Sequence, residues 1–244
     1  MKARSLAWVA FAACFAAPIA TAKTPTAALA APDQAPATTL HYLDPAAFVP
    51  VRLVAGPPAT GSASEALEFA RLRALFAAAT PERMEQAQRD GDNEDASMFN
   101  ATVGRDLSKT PATWALLNLI QQETDTVIEQ AKDYFARRRP YSIDPTLPAC
   151  AKDRMNKPAR SYPSGHAGAG YAIGWALAKL LPDQAPQILA RADDYALSRE
   201  LCGVHFHSDT EASHVIATLA AATLLNDRRL ARQIAAARAE LVGR

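Results

Sequence analysis

The sequence predicts an all-α chain, and three observations carry that prediction. Apolar residues recur at intervals of three and four through the middle and the C-terminal half, the spacing that lines one face of a helix. Hydroxyl–proline pairs and a serine–glutamate pair stand where such helices would open. No run alternates apolar and polar residues like a half-buried strand, and neither an internal repeat nor a glycine-rich phosphate loop is present.

Taken in order, Lys2 and Arg4 precede an apolar run from Leu6 to Ile19, closed by the small residues Ala20-Thr21-Ala22. This pattern is that of a secretory signal peptide over residues 1–22. Residues 23–49 are expected to form a flexible or extended lead, rich at first in Ala, Pro and Thr and poor in side chains that could offset their own ordering. A helical domain is expected over 50–244. From His41 to Gly61, Pro45, Pro50, Pro57 and Pro58 are expected to prevent helix, leaving Val51, Leu53 and Val54 to pack extended on a core.

Ser62 with Glu65 predicts a capping box opening a helix whose apolar face runs through Phe69, Leu72, Leu75 and Phe76. Thr80-Pro81 predicts a second helix and Thr110-Pro111 a third. The third is the clearest, with Leu116, Leu117, Ile120, Val127, Ile128, Ala131, Tyr134 and Phe135 along one face, and is expected to end near Arg139 with Pro140 as the stop. A proline-containing loop then leads to helices over about 164–181, 184–201, 208–225 and 227–242.

With 26 Lys and Arg against 25 Asp and Glu, the 244-residue chain has no global field to recruit a nucleic-acid polymer or an anionic membrane. Loss of the leader would take Lys2 and Arg4 and leave 24 bases against the same 25 acids, a formal −1. No later segment reaches the roughly 18–20 apolar residues needed to cross a bilayer, so no membrane insertion is expected. Cys150 and Cys202 would then sit in an oxidising compartment and can pair, closing a loop worth roughly 4 kcal/mol in the chain-entropy picture; two buried free thiols are the alternative.

Three clusters combine cations or imidazoles with a helix end. Lys132 and Arg139 are seven residues apart, two helical turns, and are expected on one side of the third helix. Alone they read more simply as a solvated basic helix terminus interacting with the macrodipole. Tyr162-Pro163-Ser164-Gly165-His166 feeds into a helix start, where unpaired N–H groups and a glycine make an anion cradle; the plainer reading is a serine N-cap. In the third, Arg199 precedes His205 and Asp209, four apart, so that a carboxylate can accept from one imidazole nitrogen and leave the other able to attack; the plainer reading is a surface pair. A metal would be the competing use of His166, His205, His207, Asp209 and His214. Their spacing matches no zinc signature and nearby cations would repel it, so no metal and no cofactor is expected.

Together, Lys132 x6 Arg139-Pro140, Pro163-Ser164-Gly165-His166 and Ser198-Arg199 x5 His205 x3 Asp209 form a three-part phosphatase signature. The chain resembles the superfamily of type 2 phosphatidic acid phosphatases and vanadium haloperoxidases, and within it the class A bacterial non-specific acid phosphatases. The resemblance implies a compact multi-helix bundle in the periplasm, acting on small phosphomonoesters with broad specificity, binding phosphate or vanadate, and assembling as a homo-oligomer. It implies that Lys132, Arg139, Arg199, the Ser164 hydroxyl and the Gly165 N–H hold the phosphoryl oxygens. His205 would be the nucleophile that forms a phosphohistidine, with some transfer to alcohols; Asp209 would orient it, and His166 would protonate the leaving oxygen and later activate water. Ala167, where a threonine is frequent, and His207, where a glutamine is common, depart from the pattern and bear on substrate preference. A lipid phosphate phosphatase, a vanadate-dependent haloperoxidase and a non-catalytic phosphate scavenger are the alternative functions on the same residues.

Overall fold

The structure, a computed structural model, describes residues 39–150 and 158–243; the expected signal peptide and most of the lead lie outside them. Among the described residues the regular structure is helical throughout. The helices are α1 (Pro50–Leu53), α2 (Ala63–Ala78), α3 (Pro81–Asp92), α4 (Asn100–Val103), α5 (Pro111–Phe135), α6 (Pro140–Ile143), α7 (Gly165–Leu180), α8 (Ala185–Leu201), α9 (His207–Leu225) and α10 (Ala231–Val242).

Local chemistry accounts for the helix starts. The Ser62 side chain accepts from the Glu65 N–H, while the Glu65 carboxylate reaches one residue past the capping-box position, to the Gly61 N–H at 2.6 Å. Thr80 caps α3 by accepting from the Arg83 N–H, with Pro81 at the first helical position. At Ser64-Glu65 and Pro81-Glu82 an acidic side chain also sits in the first turn, where the helix dipole favours it. Pro50 proves compatible with helix: it opens the single turn α1, because a missing N–H costs nothing at a first helical position.

The core is organised around α7, which packs against α5, α8 and α9. Its sequence is apolar on nearly every side, and from Ala167 to Leu180 every residue but Trp175 and Lys179 is buried. Small residues make this burial feasible. A side chain at Gly170 would meet the Tyr195 ring at 2.6 Å, and one at Gly174 would crowd Ala192 and Phe99.

Two boundaries differ from expectation. Helix α5 ends at Phe135, four residues before Arg139, because Ala136 adopts a left-handed conformation with φ 45° and turns the chain away. Arg139 instead caps α6, so Lys132 and Arg139 do not share one helical face. The packed body also begins before residue 50. The buried Glu123 carboxylate accepts from the N–H groups of His41, Tyr42 and Leu43 at 2.8–3.0 Å, and Leu43 and Phe48 enter the core.

Cys150 and Cys202 are joined by a disulfide, with the Cys150 N–H donating to the Cys202 carbonyl. The next residue, Gly203, has φ +62°, and a Cβ there would lie 2.0 Å from the Pro148 carbonyl oxygen. Left-handed backbone and a clash with main chain add, so Gly203→Ala is expected to lower stability by about 2–5 kcal/mol, read as a fall in the denaturant midpoint.

Candidate active site

The N-terminal ends of α7 and α9, the C-terminal part of α8 and the segment after α5 bring the three sequence clusters together. Ser164 is the N-cap of α7: its hydroxyl accepts from the Ala167 N–H and its own N–H donates to the Asp209 carbonyl. That second bond ties the start of α7 to the start of α9. A Cβ at Gly165 would stand 3.0 Å from the Lys132 ammonium and 3.4 Å from a Glu94 carboxylate oxygen, so glycine keeps that approach open.

His205 lies just before α9 and is buried. Its Nδ1 faces the Ser161 carbonyl at 2.8 Å and Asp209 Oδ2 at 3.4 Å, while Nε2 is 3.0 Å from Arg139 Nη1. An arginine can only donate, and a carbonyl can only accept. These neighbours therefore assign the proton to Nδ1 and leave the lone pair of Nε2 facing the guanidinium. The expected direct acceptor, Asp209, is the more distant of the two; Ser161 supplies the close one. Burial holds the His205 pKa well below the ordinary imidazole value, and the charges of Arg139, Arg199, Lys132 and His166 push it the same way.

The cations are unevenly satisfied. Lys132 is paired with Glu129, which also binds Arg160. Arg139 donates to the Val204 carbonyl at 2.9 Å. Arg199 is buried, and its Nε and Nη1 have no hydrogen-bond partner among the described residues. A buried guanidinium with orphaned N–H groups is costly, and an oxyanion is the group whose geometry and charge relieve it. His166 completes the set, with Nδ1 3.0 Å from Glu94 and Nε2 3.2 Å from the Gly91 carbonyl. A Cβ on that same Gly91 would be 2.7 Å from Arg199 Nη1, so His166 and Arg199 converge on one stretch of α3.

Four contributors were not singled out from the sequence: Glu68, Glu94, Arg137 and Ser161. Arg137 donates to Asp209 Oδ1 at 2.6 Å, to Ser208 Oγ at 2.8 Å and to Glu68, and its guanidinium lies 4.0 Å over the Phe206 ring. Ser161 donates its hydroxyl to Asp209 Oδ2 and the Phe206 N–H donates to the same oxygen. Burial pushes the Asp209 carboxyl up, against the pull of Arg137, Ser161 and the Phe206 N–H. The remaining histidines lie elsewhere: His207 meets Glu200 at 3.0 Å, and His214 stacks on Tyr171. Among the described residues, no group of three or more His, Cys, Asp or Glu is arranged to hold a metal ion, and no helix is long and apolar enough to cross a membrane.

Residues 112–232 match the PAP2 superfamily. The chain is 32% identical to an acid phosphatase of Zymomonas mobilis over 216 residues, covering 84% of this chain and 79% of that protein. The chain belongs to the PAP2 superfamily. It is also 30% identical to a non-specific acid phosphatase of Providencia stuartii over 82% of this chain and 84% of that one. A non-specific acid phosphatase of Salmonella typhimurium is 29% identical over 65% of this chain and 66% of its own length. These similarities group it with the class A acid phosphatases of the PAP2 superfamily, in keeping with the all-helical architecture.

Arg137 bridges Asp209 Oδ1 and Glu68, so its removal would take the cationic partner from two carboxylates at once. Arg137→Leu is expected to cost about 3–5 kcal/mol, measured as a loss of denaturant midpoint; an unchanged midpoint would mean that Asp209 and Glu68 find other partners.

Proposed function

We propose that this acid phosphatase of the PAP2 superfamily hydrolyses phosphomonoesters without a metal, through a phosphohistidine on His205. The observation that carries the reading is the placement of His205, with Nδ1 2.8 Å from the Ser161 carbonyl oxygen and Nε2 3.0 Å from Arg139 Nη1, which favours the Nδ1–H tautomer and a lone pair on Nε2. Lys132, Arg139 and Arg199 supply positive charge around that lone pair, and the Ser164 hydroxyl and the Gly165 N–H at the start of α7 add donors. Such preorganised donors are what a phosphoryl group spread over three equatorial oxygens requires, which leaves little for a metal to do.

In the first half-reaction Nε2 attacks phosphorus and the N–P bond forms as the P–O bond to the leaving group breaks; His166 gives its proton to the departing oxygen. In the second, water attacks phosphorus, His166 accepts the water proton, and the N–P bond breaks to return His205 and phosphate. Asp209 acts through its neighbours, fixing Ser161 and the turn that carries His205. Cations and donors that grip only the phosphoryl group favour broad specificity toward the leaving group. An alcohol in place of water would give phosphotransfer. The leader-like residues 1–22 favour the periplasm. Exposed Val215 and Leu219 on α9 and Leu189 on α8 favour assembly with further copies of the chain.

With an aryl phosphate, the protein is expected to turn over fully in EDTA and to phosphorylate an added nucleoside in part, whereas His205→Ala is expected to do neither. Full activity in that variant, or a chelator loss restored by zinc, would overturn the reading.

The pH dependence follows from two imidazoles. Burial and Arg199 hold the His166 pKa below its ordinary value, so the proton donor is lost as pH rises through a point on the acid side of neutral imidazole behaviour. His205 stays neutral to still lower pH, for the reasons given above. The kcat/KM profile is expected to be acid-leaning, with its basic limb set by His166; a rate still climbing above about pH 8 would contradict that assignment.

A further inference from the structure

Glu94 enters the site from the acidic turn after α3, far in sequence from every signature residue, and nothing above gives it a task. Its carboxylate oxygen lies 3.0 Å from His166 Nδ1 and 3.4 Å from the position a Gly165 Cβ would take. On the opposite edge of the ring, Nε2 lies 3.2 Å from the Gly91 carbonyl oxygen. Both nitrogens thus face atoms that only accept. Only the imidazolium, with two N–H groups, can satisfy both; the neutral ring would set one lone pair against an oxygen.

We infer that Glu94 is the positioning residue that keeps His166 charged and aimed for proton transfer. The inference rests on His166 being the proton donor. Nδ1–H stays with the carboxylate, and the longer Nε2–H···Gly91 contact is the one exchanged for the leaving-group oxygen. After the transfer, the bare Nε2 faces the Gly91 carbonyl, an unfavourable pairing that a proton taken from the attacking water removes. One carboxylate and one carbonyl thereby serve the acid step and the base step in turn.

The other charges around this pair are accounted for. Arg199 from α8 opposes protonation of His166, and Tyr195, on the same helix, lies nearly parallel to its ring at 6.3 Å between centroids. Lys132 and Asp125 from α5 bear on Glu94. Burial raises the Glu94 carboxyl, but the hydrogen bond and charge of His166, with Lys132 and Arg199, hold it below the ordinary value, so it is an anion where His166 titrates. Of the groups that act on His166, Glu94 and the Gly91 carbonyl favour its charged form against burial and Arg199.

The test compares wild type with Glu94→Gln, Glu94→Asp and His166→Asn on an alkyl phosphate, whose leaving group needs a proton, and a nitrophenyl phosphate, whose leaving group does not. His166→Asn is expected to cost the alkyl ester about 100-fold more than the aryl ester. Glu94→Gln is expected to move the basic limb of the alkyl kcat/KM profile down by about one pH unit, a roughly tenfold selective loss on its descending side, with Glu94→Asp recovering most of it. Equal losses on both esters in His166→Asn would overturn the proton-donor reading, and this inference with it. A selective loss in His166→Asn beside an unmoved basic limb in Glu94→Gln would overturn the role of Glu94 alone.

Discussion

The buried carboxylate of Asp209 is the point at which separate parts of the chain are forced to agree. Oδ1 takes Arg137, and Oδ2 takes the Ser161 hydroxyl and the Phe206 N–H with His205 Nδ1 at longer range. Its carbonyl oxygen takes the Ser164 N–H and the Ser213 hydroxyl. Through Arg137 the same group reaches Glu68 on α2, whose other oxygen accepts from the Ser208 N–H. A charge removed from water is tolerable only when its lone pairs are filled, so this one carboxylate fixes the loop before α7, the turn before α9 and the chain after α5 in mutual register. The anion cradle lies where those three meet.

Beside that network stands a second set of cations, Arg139 and Arg199. Arg137 gives its two terminal nitrogens to Asp209, Ser208 and Glu68 and keeps only Nε without a partner among the described residues, whereas Arg199 keeps both Nε and Nη1 so and Arg139 turns a guanidinium nitrogen toward an imidazole lone pair. The fold thus separates its arginines by what it places opposite them, carboxylates at Arg137 and an imidazole at Arg139. Residues 137–139 show the separation within three consecutive arginines: Arg137 is buried in the network, Arg138 faces solvent and donates to the Ser142 carbonyl, and Arg139 turns to His205.

This is also where the sequence stops being sufficient. The helix openings at Ser62, Thr80, Thr110 and Ser164 are legible because caps and prolines act within one turn of the chain, and the apolar faces follow from periodicity. The end of α5 is not, since Ala136 carries no composition signal for a left-handed conformation. Lys132 and Arg139 therefore reach one neighbourhood by a turn of the chain and not by a shared helical face, and a spacing argument that placed them correctly did so for a wrong reason. Glu68 and Glu94 had no local signature at all, and Ser161, though it opens the Ser161-Tyr162-Pro163-Ser164-Gly165-His166 run, carried no role in it. Glu94 sits in the run Asp92-Asn93-Glu94-Asp95, where four polar residues look alike until tertiary structure sets one of them against His166. The Ser161 carbonyl is backbone, which sequence identity cannot report.

Two histidines with the same intrinsic chemistry meet opposite sets of hydrogen-bond partners, while burial and nearby cations lower the pKa of both. At His205 one edge meets an acceptor and the other a permanent cation, an arrangement that neutral imidazole alone satisfies and that leaves a lone pair exposed to an electrophile. At His166 both edges meet acceptors, an arrangement that imidazolium alone satisfies and that keeps a proton ready to leave. The cations proposed to bind an anion oppose a positive charge on His205, and repulsion from Arg199 reaches His166 as well. A proton donor can persist beside that charge only if a carboxylate offsets it locally. On the proposed mechanism, an acid working range is the compromise between a cradle positive enough to hold a phosphoryl group and a donor that must remain positive within it.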